Sequence, residues 1–217
     1  PAIYDDHGTI SFRQLYTEAE ELRLQLISLG IKEGMGIGVM AANGRNFIIG
    51  IFAAVGTGAA VMPMSPQLKA AEIDDILEQA KLHAIIDDRS SIQPLDSIET
   101  VIPMQQGGFR FAFTAVDVSV AFAPFVHQPA FIRFTSGTTG RSKGVIVSHQ
   151  SVIDRVVGAN HGLQLGPGDT VIWVLPMAYH FMVSIILYVK FGAAIAVAKD
   201  FLAKNIIDIT NKHQGTL

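Results

Sequence analysis

The sequence predicts an α/β fold, with mostly parallel sheets flanked by helices on both faces. Short apolar runs of strand length alternate with helical periodicities along the chain. Such alternation implies right-handed crossovers and a parallel sheet. Several strand runs are apolar without a break, as strands covered on both faces must be. Charged residues are 16% of the 217 residues and hydrophobic ones 49%, where a typical soluble domain carries about 25% charged residues. Either a sheet is buried on both sides, or part of this surface is covered by further chain. We expect both.

Ser11-Phe-Arg-Gln14 is a capping box, in which hydroxyl and amide each satisfy a free backbone N–H. Phe12, Leu15, Ala19, Leu22, Leu26 and Leu29 then recur at steps of three and four, forming one apolar helical face. Gly30 stops that helix in a left-handed cap, with Ile31 placed to pack back. Residues 37–40 read as a buried strand, Asn43-Gly-Arg45 as a turn, 47–57 as an apolar helix and 59–62 as the next strand. Ile73, Ile76, Leu77 and Ala80 mark a helix, and 84–87 a strand. Residues 93–126 are less regular: Gly107-Gly108 suggests a turn, and Phe109, Phe111 and Phe113 alternate as in a half-buried strand. Strands follow at 130–135 and 145–148, then a helix over 150–159. Residues 170–174 are a strand, 182–191 a helix, 194–197 a strand, and 214–217 the entry to another.

The net charge of −3, with scattered basic residues, gives no reason to expect nucleic acid or an acidic membrane as partner. The chain has no cysteine, which excludes disulfides and thiolate metal sites. Two long apolar stretches, 48–64 and 171–198, are interrupted by Gly50, Gly56, Gly58 and Pro63, and by Pro176, His180 and Lys190. A membrane-spanning helix needs about 20 uninterrupted apolar residues, so no span is predicted. Asp5-Asp6, Asp74-Asp75 and Asp87-Asp88 are neighbours in sequence; neighbours point apart, so they read as solvated charges. No His/Asp/Glu spacing suggests a protein-built metal site.

The chemistry concentrates in Phe134-Thr-Ser-Gly-Thr-Thr-Gly-Arg-Ser-Lys-Gly-Val145, a glycine- and hydroxyl-rich run between two predicted strands. Small residues let backbone N–H groups approach a polyphosphate closely. The hydroxyls of Thr135, Ser136, Thr138 and Thr139 add donors, Lys143 adds a mobile positive charge, and Gly137, Gly140 and Gly144 allow the loop to turn. It is not a Walker A loop, because Gly144 follows the lysine and the spacing differs.

This string resembles the signature of the adenylate-forming (AMP-binding) superfamily, Thr-Ser-Gly-Thr-Thr-Gly-x-Pro-Lys-Gly, with Ser142 where proline is usual. The likeness covers essentially the whole chain. Residues 9–15 resemble the family's opening Thr-Tyr-x-Glu-Leu segment, and 58–66 its Gly-Ala-Val-x-Val-Pro-x-Asn-Pro strand and turn. Residues 147–152 resemble its Thr-His-x-Asn segment, and 175–180 the Leu-Pro-x-x-His segment of acyl-CoA synthetases. Peptide-synthetase domains usually carry Phe-Asp near there, so the resemblance leans toward the CoA ligases.

The resemblance implies that residues 1–217 form the N-terminal part of the large domain of that fold, with the phosphate loop at 134–145. It implies that Thr135, Ser136, Gly137, Thr138, Thr139, Gly140 and Lys143 hold the ATP phosphates. His180 and Tyr179 would border the acyl and adenylate pocket. Trp173 and Tyr179 either line an acyl tunnel or pack in the core, and His149 serves the start of the following helix. No residue in 1–217 is implied as certainly catalytic. The family's Tyr-Gly-x-Thr-Glu and Thr-Gly-Asp motifs have no match, nor does the C-terminal domain with its adenylation lysine. The chain is therefore expected to be the N-terminal portion of a longer enzyme, inactive alone, with its Mg2+ ligand elsewhere. That enzyme would join a small-molecule carboxylic acid, fatty or other, to ATP as acyl-AMP and transfer the acyl group to CoA. Delivery to an acyl carrier protein is the alternative, as is a non-catalytic nucleotide-binding or interaction domain. A cytoplasmic location is expected, and self-association of the isolated chain through the apolar run 183–197.

Overall fold

The computed structural model describes residues 1–90, 100–105, 107–135 and 143–217. Helix α1 (Phe12–Ser28) begins with the predicted capping box: Ser11 Oγ accepts the Gln14 N–H and Gln14 Oε1 accepts the Ser11 N–H. It ends as predicted, with Gly30 at φ +100°, Gly30 N–H on Ile27 O and Ile31 N–H on Leu26 O. Those paired bonds are the Schellman arrangement, and they fold buried Ile31 back onto the helix.

Seven strands form the larger sheet: β3 (Gly36–Met40), β4 (Ala60–Met64), β5 (Ala84–Asp87), β6 (Thr100–Pro103), β7 (Gly108–Phe113), β8 (Pro129–Thr135) and β9 (Lys143–Ser148). Their order is β6-β7-β5-β3-β4-β8-β9. The middle four are parallel, while β7, β6 and β9 join antiparallel at the margins. A smaller sheet, β10-β11-β1-β2, combines β1 (Ile3–Asp5), β2 (Gly8–Ile10), β10 (Thr170–Trp173) and β11 (Ala194–Val197). Here β10, β11 and β1 are parallel and β2 is antiparallel. Helices α2 (Arg45–Gly56) and α3 (Ala70–Ala80) make the β3–β4 and β4–β5 crossovers, and α4 (His149–Leu163) follows β9. Between β10 and β11 run α5 (Met177–His180), a π-helical turn (Phe181–Ile185) and α6 (Ile186–Phe191); α7 (Ala203–His213) comes last.

Every residue of β3 and β5 is buried; the apolar runs predicted this for all of them but Asp87. One apolar cluster packs α1, α2 and the smaller sheet against one face of the seven strands. A second gathers Met40, Met62, Met64, Ile73, Ile85 and Phe122 on the other face, beneath α3. The close fit there needs glycine: a Cβ on Gly36 would stand 2.6 Å from the Phe122 ring.

The structure also departs from the sequence reading. The β1–β2 hairpin, β6 and α7 were not predicted, and the helix assigned to 182–191 begins at Met177. Residues 214–217 form no regular strand, although Thr216 N–H donates to Thr170 O and Leu217 O accepts from Ile172 N–H along the edge of β10. The run 183–197 is not an exposed apolar face, because Ile185–Tyr188 and Ala193–Ala196 pack into the core. Exposed apolar side chains near the C-terminus are instead Phe201, Leu202, Ile207 and Leu217. Among the described residues no helix is long and apolar enough to cross a membrane.

Candidate functional site

Chain topology opens a crevice in the larger sheet. From β3 the chain crosses to β4 through α2, then returns past β3 to β5 through α3 on the opposite face. The connections leaving β3 and β4 therefore diverge, and a ligand site is expected beyond the carboxyl ends of strands at such a point. A cleft of about 630 Å³ lies there, within the roughly 300–1,000 Å³ of typical ligand sites. Its walls are residues 42–46 after β3, 65–68 after β4, Asp88 after β5, and Val174, Pro176, Tyr179 and 197–201 from the smaller sheet's side.

The wall after β3 is anchored by charge. Gly44 precedes α2 at φ +147° and offers no side chain to cap it. The Asp5 carboxylate takes that role from β1, accepting the Arg45 N–H at 3.0 Å. Arg45 also turns its guanidinium onto Asp5, with Nη2–Oδ1 at 2.6 Å, and donates to Gly8 O at 3.0 Å. Both side chains are 5% exposed. Burial works to raise the Asp5 pKa, but hydrogen bonds and charge from Arg45 outweigh it and hold the carboxyl below its ordinary value. Glu18 of α1 is buried nearby. Burial pushes its carboxyl up, Arg45 opposes the rise, and Glu21 and Asp5 add to it.

These facts correct the reading of the paired aspartates as solvated. Asp5 belongs to a buried ion pair, and Asp87 is fully buried, paired with Arg110 and accepting the Arg89 N–H. Asp6, Asp74 and Asp75 are exposed, as predicted, and Asp88 is half-buried.

The residues expected to hold phosphate, Ser136, Gly137, Thr138, Thr139 and Gly140, lie outside the described residues. Their flanks do not: the backbones of Thr135 and Lys143 face each other as the last pair of the β8–β9 ladder. Just before Thr135, Phe134 walls an apolar pocket of about 130 Å³ with Met62, Met64, Ile132, Phe181, Met182 and Val183. Ser65, Leu68 and Tyr179 line both this pocket and the cleft. The structure thus brings half-exposed Tyr179 close to the end of β8, the strand that precedes the glycine- and hydroxyl-rich run. His180 lines neither cavity; it stands half-buried against Trp173, with ring centroids 5.8 Å apart at 70°. Trp173 is a core residue. His149 begins α4 behind the Ser148 cap, as expected.

The π-helical turn starts directly after His180, a distortion that often marks functional sites. Buried Phe181 anchors it among Phe47, Phe52 and Phe131. Asn43 is the residue the sequence did not single out. Its Nδ2 donates to Leu175 O and its Oδ1 accepts the Met177 N–H, both at 2.8 Å. Those partners lie 132 and 134 residues away, and no local pattern signals them. Among the described residues no group of three His, Asp or Glu is placed to hold a metal.

Comparison with known proteins gives one family. The model described as "AMP-binding enzyme" matches residues 1–217. The dimodular nonribosomal peptide synthase of Bacillus subtilis (strain 168) is 28% identical over 91% of this chain and 8% of that protein. Gramicidin S synthase 2 of Brevibacillus brevis is 26% identical over 94% of this chain and 4% of that protein. The chain therefore spans a small fraction of the length of these relatives. In three dimensions it resembles the N-terminal domain of FACL13 from Mycobacterium tuberculosis, with TM-score 0.78 and 20% identity over 99% of this chain and 57% of that one. It also resembles o-succinylbenzoate CoA synthetase (MenE) from Bacillus subtilis, solved with the acyl-adenylate intermediate OSB-AMP. There the TM-score is 0.77, with 17% identity over 99% of this chain and 56% of that one.

Proposed function

This chain belongs to the AMP-binding enzyme family, and on that premise we propose that the protein carrying it is an acid–thiol ligase working through an acyl-adenylate. A carboxylate oxygen attacks the α-phosphorus of ATP and pyrophosphate leaves. A thiol sulfur then attacks the acyl carbon, and AMP leaves. One observation carries the reading: the phosphate-loop string connects paired Thr135 and Lys143, and Phe134 beside it walls an apolar pocket. In this reading the polyphosphate and an apolar acid would sit side by side.

In this reading Thr135, Ser136, Gly137, Thr138, Thr139, Gly140 and Lys143 hold the β- and γ-phosphates, and donors aimed at the departing pyrophosphate stabilise its charge. Tyr179 borders the acyl group, and His180, the next residue, packs against Trp173. The family uses ATP with Mg2+, but the described residues offer no cluster of metal ligands, so no step is assigned to the metal. CoA is the proposed acceptor. His180 stands near where peptide-synthetase domains usually carry a Phe-Asp pair, and it offers no carboxylate to pair with an amino acid's ammonium group. The sequence relative named as a nonribosomal peptide synthase supports a second reading, an amino acid delivered to a carrier protein.

Carboxylate-dependent ATP–pyrophosphate exchange by the intact protein tests the proposal, using a panel of fatty, aryl and amino acids. Exchange with acids lacking an amino group, followed by CoA thioester formation, is expected. Exchange restricted to amino acids favours the second reading, and no exchange with any acid overturns adenylation. Lys143→Ala is expected to slow exchange by about 10²–10³, the loss typical of one charge-stabilising donor. Thioester formation from preformed acyl-adenylate should be affected less, because pyrophosphate has already left.

A further inference from the structure

We propose that Asn43 is a positioning residue that sets where Tyr179 and His180 stand by locking the start of α5 to the cleft wall. The evidence is the fork of its carboxamide. One arm donates to Leu175 O and the other accepts the Met177 N–H, each at 2.8 Å. Two bonds to residues 175 and 177 fix the entry to the helix, and Tyr179 and His180 follow within its single turn. α5 is the first turn of a helical run that continues without a break to Phe191, so the place of its start is set by what holds that first turn. Its N-cap, Pro176, offers no side-chain hydrogen bond, so an outside group must hold the first free N–H.

The chemistry requires an amide. A carboxylate at 43 could accept from Met177 but not donate to Leu175; an aliphatic side chain could do neither. Asn43 is itself held. Gly44 next to it carries the strained φ, and Arg45 is fixed on both backbone and side chain by Asp5. The lock thus runs from the buried ion pair through Asn43 to the helix bearing Tyr179 and His180. Asn43 and Tyr179 both line the cleft, so a shift of α5 changes its shape directly.

This inference rests on the adenylation reading, and its test separates the two. Asn43→Ala and Asn43→Asp are compared with the unaltered intact protein in ATP–pyrophosphate exchange, with KM measured separately for the acid and for ATP. Each neutral hydrogen bond is worth about fivefold. Asn43→Ala is therefore expected to raise the acid KM by about 30-fold, and Asn43→Asp, which keeps the Met177 bond, by about fivefold. The KM for ATP should stay within about twofold, since neither lost bond touches the phosphate loop. Unchanged acid KM in folded Asn43→Ala overturns the proposal. So does an equal rise in both KM values, the result of a merely structural role. If Asn43→Ala does not fold, Asn43→Asp decides by the same criteria.

Trp173 supplies a second readout, because it is the only tryptophan in the chain and packs against His180. In the intact protein the emission of Trp173, taken as the difference from Trp173→Phe, should shift to longer wavelength in Asn43→Ala, toward that of His180→Ala. If the unaltered protein shows no exchange with any acid, the adenylation reading fails and this emission arm stands alone. Unchanged emission then overturns the positioning role.

Discussion

The two loops that face each other across the cleft are built in opposite ways. After β3, residues 42–46 are fixed by partners far away in sequence: Asp5 on Arg45, and Asn43 on Leu175 and Met177. After β4, the described hydrogen bonds of residues 65–69 are local. Gln67 N–H donates to Ser65 Oγ and Leu68 N–H to Ser65 O, both at 3.3 Å, and Lys69 N–H donates to Glu72 Oε2 at 2.8 Å. One helix is capped by a carboxylate from another sheet, the other from within its own first turn. Local opening is governed by how many buried, long-range contacts a segment holds. The first loop is therefore a fixed reference wall, and the second is free to adjust to what enters.

The largest expected effect falls on the fixed wall. Arg45→Ala leaves Asp5 buried without its partner. Breaking a buried pair from one side costs about 3–5 kcal/mol, and the urea midpoint should fall accordingly. A loss below about 1 kcal/mol, the range of exposed pairs, would show that water reaches this joint. Gly44→Ala comes next. At φ +147° a Cβ is strained, and it would stand 3.3 Å from Asp5 Oδ2. Such backbone strain costs about 1–3 kcal/mol, again read from the urea midpoint.

The difference between the walls also explains what the sequence could convey. The capping box, the Gly30 stop and the β5 run were legible because each is set by residues close together in sequence. The glycine- and hydroxyl-rich run at 134–145 was legible as a continuous string. The three-residue strands β1 and β2 are too short to show a period; α7 carries an amphipathic pattern of its own that the reading missed, although none of its residues is fully buried. Asp5 and Asp87 were misread because adjacency in sequence says nothing of an arginine 40 or 23 residues away. Asn43 was passed over for the same reason. What positions the site is long-range, and only the motif that would touch phosphate is local.

Two carboxyls near the fixed wall should make its stability depend on pH in opposite directions. Asp5 is held below the unfolded value of about 3.9. Its contribution is present above that value and is lost as pH falls through the folded pKa. Glu18 is raised above the unfolded value of about 4.3. Its contribution is present below that value and is lost as pH rises through the folded pKa. Glu18→Gln removes only the second effect. The urea midpoint of this variant should exceed that of the unaltered chain at pH 7 and differ little near pH 4. A lower midpoint at pH 7 would mean that ionised Glu18 stabilises the joint instead of opposing it.

The smallest effect belongs to the free wall. Ser65→Ala removes one local bond from a half-buried turn, at a donor–acceptor distance of 3.3 Å. The Gln67 N–H it releases is on an exposed residue and can turn to water. Stability should therefore change by no more than about 0.5 kcal/mol, as at surface positions with no special role. Function should respond differently, because Ser65 lines both the cleft and the apolar pocket. The acid KM is expected to move while the urea midpoint does not, the reverse of Arg45→Ala, where stability carries the loss. If Ser65→Ala lowers stability by more than about 1.5 kcal/mol, beyond what a single local hydrogen bond supplies, the loop after β4 is not the adjustable one. Both walls would then be fixed, and the cleft would select its ligand by shape alone.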